Sequence, residues 1–325
     1  MKKKFFSILL TGILAASVMS GCGSSSASGA QTSTPQAAGT EDAGSATSES
    51  SSVEESGAEQ SGAQSDSPAS DDKKIVVGAT PVPHADILDS VLKDVLAADG
   101  WELETVVFED YVLPNTSLEE GELDANYFQT LGYMNQQNDD VGLHLAAVAG
   151  VHIEPMGIYS QKYSSIEELP DGAEIGIPND PDNAERGIDL LVQKGLLKSK
   201  GGYGTDSSYT AESITDDAEA NPRGFVITPL EAASLPLSLP DLDAAAINGN
   251  YALGADLPSK SPALEIEEFD DETSVKRTNF VVVKQGNEDS EKTKALVKAI
   301  QSDAVKQYID DTYKGSVIAS FIDPQ

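Results

Sequence analysis

The chain has 325 residues and carries 54 acidic against 21 basic side chains, a formal net charge of −33. This charge argues against nucleic acid or anionic lipid surfaces as partners and favours a soluble, monomeric body. Cys22 is the only cysteine, so an intrachain disulfide is excluded.

The N-terminus has the pattern of an export signal. Lys2 to Lys4 precede an apolar stretch from Phe5 to Val18, which is shorter than the ~20 residues that a membrane-spanning helix needs. We therefore predict a signal peptide over residues 1–21, followed by a lipidated Cys22. The alternative is an incidental thiol in an ordinary signal. Two acyl chains on Cys22 would anchor the protein to the outer face of the cell membrane.

Residues 23–72 have the composition of a tether. They contain nine acidic side chains, no basic one and no aromatic one, and Ser, Ala and Gly dominate. Such a segment buries too little apolar surface to offset chain entropy, and its charges repel one another. We predict a disordered tether over residues 22–72, counting the cysteine. Residues 73–325 are then enough for two folded lobes.

Apolar runs and helical periodicity alternate along the folded part. The predicted strands are Ile75–Val77, Leu103–Phe108, Pro155–Ser160, Ile175–Ile177, Asp243–Ile247 and Phe280–Val283. The predicted helices are Ile87–Leu96, Leu118–Leu123, one that opens near Asn183, and a long one from Ser290 to Tyr313. This alternation indicates the α/β class with mainly parallel sheets.

Ligands of such sheets bind beyond the carboxyl ends of the strands. Polar segments rich in Pro and Gly follow three predicted strands, at residues 80–84, 178–183 and 248–251. They occur in both halves of the chain, so a cleft between two lobes would collect them.

The sequence offers no catalytic constellation. It has no Gly-x-Ser-x-Gly elbow and no phosphate-binding Gly-rich loop, and its three histidines lack metal-ligand spacing. Paired acids such as Glu119 and Glu120 are read as solvated surface in so acidic a chain. We therefore expect a protein that is not an enzyme and has neither cofactor nor metal.

Arg186 is the most informative side chain. It lies in the first turn of the helix predicted after Pro178–Asn183, where the helix dipole disfavours a cation unless a negative partner is near. A ligand carboxylate would be such a partner, held by the guanidinium and by exposed amides. The alternative is a surface ion pair with Glu185 or Asp182.

Other polar and aromatic candidates are less decisive. The segment Asn248-Gly-Asn250 follows an apolar strand and would contact a zwitterion, or it is an ordinary Asn-Gly turn. Tyr111, Tyr127, Phe128 and Tyr133 would line an apolar pocket, or are simply core. His84 either faces the cleft or caps a helix.

Five segments of this chain together resemble a known family. They are Val77–Leu88, Asp110–Asn115, Gly121–Gln129, Ile177–Asn183 with Arg186, and Ala246–Ala252. In order and spacing they are similar to the methionine-binding lipoproteins of ABC importers, the MetQ/NlpA family, over residues 75–325.

The resemblance implies a two-lobed periplasmic-binding-protein fold of type II-like topology. Lobe I would comprise residues 73–164 and 270–325, and lobe II residues 165–269, with crossings near Ser164 and Phe269. The implied partners are a small amino acid, an ABC permease and its ATPase.

The resemblance also implies a ligand site. Arg186 would grip the ligand carboxylate, Asn183 would support Arg186, and Asn248 would make a key polar contact. The implied side-chain pocket is Tyr111, Phe128 and Tyr133, and the further contacts are Asn179, His84 and Asn250.

One segment departs from the family pattern. After Gln129 the family has His-x-Pro-Tyr, whereas this chain has Thr130-Leu-Gly-Tyr133. Thr130 thus replaces a histidine that contacts the ligand. Methionine is therefore a family default, and another amino acid or a short peptide stays open. A surface adhesin is the alternative from another class, because a tether suits it equally.

Overall fold

A computed structural model describes residues 73–199 and 209–324 of the chain. The predicted signal peptide, Cys22 and the tether lie outside the described residues. Within the described ranges we number eleven strands: β1 Lys74–Ala79, β2 Glu102–Val107, β3 Ala125–Thr130, β4 Leu145–Ile153, β5 Gly157–Tyr159, β6 Glu174–Pro178, β7 Val226–Leu230, β8 Ala244–Ile247, β9 Glu265–Ile266, β10 Thr278–Lys284 and β11 Ile318–Ala319.

The helices alternate with these strands. Numbered in the same way, they are α1 Lys93–Ala98, α2 Leu113–Glu120, α3 Leu131–Val141, α4 Pro181–Gln193, α5 Ala211–Asp216, α6 Leu235–Ser238, α7 Gly249–Gly254, α8 Leu257–Lys260, α9 Asp271–Arg277, α10 Glu291–Ile300 and α11 Asp303–Tyr313. Shorter helical turns cover Pro81–Ala85, Leu88–Leu92, Ile166–Glu168 and Ala232–Ser234. No helix in residues 73–199 or 209–324 is both long and apolar enough to cross a membrane.

The first sheet has the strand order β11-β4-β10-β3-β1-β2. Its β1 pairs in parallel with β2 and β3, whereas β10 runs antiparallel to β3 and β4. Ile75 and Val77 of β1 are fully buried and pack with Leu296 and Ile300 of α10. We call this sheet with its helices lobe I.

The second sheet has the strand order β7-β6-β8-β5-β9. Here β6 pairs in parallel with β7 and β8, and β5 runs antiparallel to β8 and β9. Ile175 and Ile177 of β6 are fully buried against Ile188 and Leu191 of α4. We call this sheet with its helices lobe II.

The structure confirms the α/β class and corrects three details. Both sheets are mixed and not mainly parallel, because β10 and β5 enter them antiparallel. The first crossing lies near residues 154–156 and not near Ser164, since β5 already belongs to the second sheet. The predicted long C-terminal helix is two helices, because Ser302 has an extended backbone and caps α11.

Candidate functional site

A polar cavity lies between the two sheets, at the carboxyl ends of their parallel strands. It holds about 350 Å³ of empty space, including space open to solvent. Lobe I lines it with Tyr111, Phe128, Gln129, Thr130, Tyr133 and Asn279; lobe II lines it with Asn183, Arg186, Asn248, Gly249 and Asn250; Glu154 of the first crossing completes the lining. The predicted position of a site beyond strand ends is the position of this cavity.

Arg186 is held in the cavity wall by the sequence that starts α4. Asp180 caps the helix by accepting from the backbone of Asn183 at 2.9 Å, and Pro181 occupies the first turn, where a missing N–H costs nothing. Arg186 is only 4% exposed, so it is not a surface ion pair with Glu185 or Asp182. Arg186 is the sixth residue of α4 and so lies in the second turn, not in the predicted first turn, and its negative partner in the structure is Glu267.

The guanidinium of Arg186 is engaged on one edge. Its Nε lies 3.2 and 3.1 Å from the two oxygens of Glu267, and its Nη2 lies 2.6 Å from Glu267 Oε2 and 2.8 Å from the Glu154 carbonyl. Burial opposes the charged form, but Glu267, together with Asp182 and Glu154, outweighs it and raises the pKa of Arg186. Among the described residues no hydrogen bond occupies Nη1, which leaves that edge for a ligand.

Asn183 and Asn248 form a buried amide pair. The Nδ2 of Asn248 donates to Asn183 Oδ1 at 2.7 Å, and Asn183 Nδ2 donates to Asp180 Oδ1 at 3.0 Å. Asn183 therefore supports Asn248, whereas the resemblance implied that it supports Arg186. Asn248 Oδ1 is buried and has no hydrogen-bond partner in the described part of the chain. An orphaned acceptor beside a cavity indicates a donor supplied by a ligand.

An aromatic wall faces this polar end. The ring of Tyr111 lies 5.7 Å from those of Phe128 and Tyr133, and 4.9 Å from that of Tyr251. Tyr111 also donates from its hydroxyl to Asn250 Oδ1 at 2.6 Å, which joins the lobes. Tyr127 is not in the wall, because its side chain points into the core of lobe I.

Two predicted contacts do not line the cavity. Asn179 is exposed in the turn between β6 and α4. His84 is buried one layer behind the cavity, with Nδ1 2.8 Å from Thr80 Oγ1 and Nε2 3.2 Å from both Asn279 Oδ1 and Glu154 Oε1. His84 thus reaches the cavity only through Glu154 and Asn279.

Gln129, Glu154 and Asn279 line the cavity but were not among the sequence predictions. Glu154 is the most consequential, because its buried carboxylate meets the Nε2 atoms of His152 at 2.6 Å and His84 at 3.2 Å. Burial raises the pKa of Glu154, although His84 and Arg186 act against that rise. The available signal was a polar His-x-Glu at the end of an apolar strand.

The same group has the spacing of a metal site. The ligand atoms of His84, His152 and Glu154 all lie within 4.8 Å of one another, although sequence spacing predicted no such cluster. The ring nitrogens are already used, since Tyr127 bonds to His152 Nδ1 and Thr80 to His84 Nδ1. Burial lowers the pKa of His84 to about 4 and that of His152 to about 3, so both rings are neutral near pH 7. Neutral rings can donate from Nε2 to the Glu154 carboxylate.

The lobes touch beside the cavity through what we call the interlobe contact, formed by Thr130, Gly132, Gln136 and Asp182. Thr130 Oγ1 donates to Asp182 Oδ2 at 3.2 Å, and the Asp182 amide donates to Gln136 Oε1 at 3.4 Å. A Cβ built on Gly132 would lie 2.1 Å from Asp182 Oδ1. The carboxylate of one lobe therefore occupies the space that a side chain at Gly132 would need.

The sequence of the chain is similar to those of known bacterial lipoproteins. The chain is 37% identical over 246 residues to the D-methionine-binding lipoprotein MetQ of Escherichia coli K12, covering 75% of this chain and 86% of that protein. It is 33% identical over 248 residues to the membrane lipoprotein TpN32 of Treponema pallidum, covering 76% and 88%. A family model described as NlpA lipoprotein matches residues 75–321.

The fold of the chain is also similar to those of solved lipoprotein structures. A putative lipoprotein from Ruminococcus gnavus superposes with a TM-score of 0.71 at 41% identity, over 76% of this chain and 99% of that one. A nutrient-binding protein from Burkholderia cenocepacia, bound to methionine, superposes with a TM-score of 0.69 at 37% identity, over 76% and 100%. Two sheets, two crossings and a polar cavity between them define a two-lobed periplasmic-binding protein. The chain belongs to the NlpA lipoprotein family, which confirms the resemblance found in the sequence.

Asp189 gives the site region a pH dependence that can be measured. Its Oδ1 is buried without a partner in the described residues, and burial raises its pKa from 3.8 to about 6. The folded chain thus binds this proton more tightly than the unfolded chain, so Asp189 favours folding at low pH and loses that effect as pH rises through 6.

We therefore expect Asp189→Asn to gain stability relative to wild type between pH 4.5 and pH 7.5. Urea unfolding of both chains at the two pH values measures this difference. The lowered pKa values of His84 and His152 make stability rise with pH, but they are present in both the wild type and the variant, so they cancel in the difference between the two. An equal difference at both pH values would contradict the prediction.

Proposed function

We propose that this chain is the substrate-binding lipoprotein of an ABC importer and captures a small amino acid, with methionine as the leading ligand. It binds and does not catalyse. The names of its relatives support this proposal, since several are methionine-binding lipoproteins and one solved relative is bound to methionine.

The observation that carries the proposal is that one cavity is lined by a cationic group and by two acceptor groups. The Nη1 edge of Arg186 suits a carboxylate, while Glu154 and the orphaned Asn248 Oδ1 suit an ammonium group. These groups lie in the lining of one cavity. A free amino acid in its zwitterionic form carries both complementary charges on two groups that are bonded to the same carbon atom.

The aromatic wall supports an apolar or thioether side chain. Tyr111, Phe128 and Tyr133 present ring faces and edges within 6.0 Å of one another. A thioether packs favourably against such rings. Thr130 lines the same end and stands where the family has histidine, so the wall also sets which side chains fit.

Binding is coupled to lobe closure in this proposal. The ligand enters an open cleft, its polar end meets lobe II and the crossing, and closure brings the aromatic wall of lobe I around its side chain. The closed, monomeric protein then docks on the permease, whose ATPase drives import. Lipidation at Cys22 and the tether over residues 23–72 keep the binder near the permease on the extracytoplasmic side.

A thermal-shift screen tests the proposal. The full chain in detergent is unfolded and refolded to remove carried-over ligand, then screened against L- and D-amino acids and short methionine peptides. A ligand that binds only the folded state raises the free energy of unfolding, by about 2.7 kcal/mol at a hundredfold excess over Kd, and therefore raises the melting temperature. We expect methionine to do so. A response to another compound instead replaces methionine as ligand, and silence across the set overturns the proposal.

A further inference from the structure

Glu267 occupies an unusual position, buried between two guanidinium groups. It follows β9 at the second crossing and is only 3% exposed. Beside its three contacts with Arg186, it accepts from Arg277 Nε at 3.1 Å. Burial opposes its ionisation, but Arg186 and Arg277 lower the pKa of Glu267. The two guanidinium groups therefore favour the ionised form of Glu267.

Glu267 also joins the two crossings. It accepts from the backbone amide of Met156, in the first crossing, at 3.1 Å. Arg186 Nη2 donates to the carbonyl of Glu154 in that same crossing at 2.8 Å. The guanidinium of Arg186 is thus fixed by both segments that connect the lobes.

This arrangement determines which edge of Arg186 faces the cavity. An arginine fork is rigid and planar, so fixing Nε and Nη2 also fixes the direction of Nη1. A long side chain without such partners must lose rotamer freedom when the ligand binds, which weakens binding.

We propose that Glu267 is a positioning residue that aims the Nη1 edge of Arg186 and thereby selects ligands with a free carboxylate. This inference rests on the proposed function. Glu267 is buried on the far side of Arg186 and does not line the cavity, so it would not contact the ligand itself.

The test compares two ligands and two variants by calorimetry on the full chain in detergent. L-Methionine carries the carboxylate, and L-methioninamide replaces it with a neutral amide. A charge-assisted hydrogen bond corresponds to about a 10- to 100-fold preference for methionine in the wild-type chain. We expect Glu267→Gln to reduce that preference by about tenfold while affinity for methioninamide changes by less than about threefold.

The matched control is Glu268→Gln, which removes the neighbouring carboxylate from an exposed pair with Lys194 and should leave the preference unchanged. If Glu267→Gln fails to fold, Glu267→Asp keeps the charge but shortens the side chain, and the same loss of preference for methionine is expected.

Two outcomes overturn the inference. Equal losses of affinity for both ligands show a purely structural role, and an increased preference for methionine shows that Glu267 competes with the ligand. The proposed function fails separately, when the wild-type chain responds to no compound of the thermal-shift screen, which distinguishes the two failures.

Discussion

Replacement of Arg186 by alanine is expected to abolish most of the ligand affinity, by about 100-fold or more. The variant removes the charge-assisted contact from Nη1, which corresponds to about 1.5–3 kcal/mol, and also the fixed geometry of the guanidinium. It further leaves Glu267 with Arg277 as its remaining cationic partner, so the ligand-free protein should unfold more easily. Calorimetric titration and thermal unfolding of the ligand-free chain measure the two effects separately.

Two companion variants make this experiment specific. Arg186→Lys keeps the charge, but an ammonium group lacks the planar fork that holds Glu267 on one edge and points the other edge at the ligand, so affinity should still fall. Arg223→Ala removes an arginine that pairs with Asp171 at the surface of lobe II, away from the cavity, and should bind normally. Wild-type affinity in Arg186→Ala would remove this residue from the site.

Arg186 also shows what could be read from the sequence. The sequence pattern placed Arg186 in the first turn of a helix and assigned its negative partner to a ligand carboxylate, with a surface pair to Glu185 or Asp182 as the alternative. The structure places it in the second turn of α4, paired with Glu267. The identity of that partner could not be predicted, because Glu267 lies 81 residues away and is one of 54 acidic residues. Glu154 was missed for the same reason, since composition made every carboxylate a candidate for solvated surface.

The strands that escaped prediction have a physical explanation too. β3 carries Asn126 and Gln129, which read as polar surface but are buried in an amide network with Asn115 at 2.6–2.9 Å. β4 contains Ala146, Ala147, Ala149 and Gly150, residue types that have weak strand preference. Strands with apolar β-branched runs, such as β1 and β10, were predicted correctly because packing and propensity agree there.

Asn248 was predicted as a polar contact and Asn183 as a support for Arg186, whereas the pairing of Asn248 with Asn183 was not predicted. The Asn-Gly dipeptide alone indicated a turn, and the structure shows that the turn starts α7 and leaves the Asn248 side chain in the cavity wall. The partner Asn183 comes from the start of α4, 65 residues earlier. Contacts between separate strand ends depend on sheet order, which local sequence does not specify.

Replacement of Gly132 by alanine is expected to weaken ligand binding about tenfold without destabilising the ligand-free chain. The added Cβ would lie 2.1 Å from Asp182 Oδ1, so this carboxylate must rotate away, the bond from Thr130 to Asp182 is weakened, and the closed form loses stability relative to an open form. Small-angle scattering with and without ligand would report the impaired closure, and titration would report the affinity.

A second substitution in the interlobe contact should restore part of the binding that Gly132→Ala loses. Asp182→Ala removes the obstructing carboxylate, so the double variant Gly132→Ala/Asp182→Ala should bind better than Gly132→Ala alone, although Asp182→Ala by itself forfeits the Thr130 bond. Gly254→Ala is the matched control, because a Cβ there meets no atom within 4 Å. Additive losses in the double variant would show that the lobes do not close through Asp182. Rescue would instead identify the Thr130 to Gly132 segment, where this chain departs from its family, as part of the closing surface and not only of the pocket.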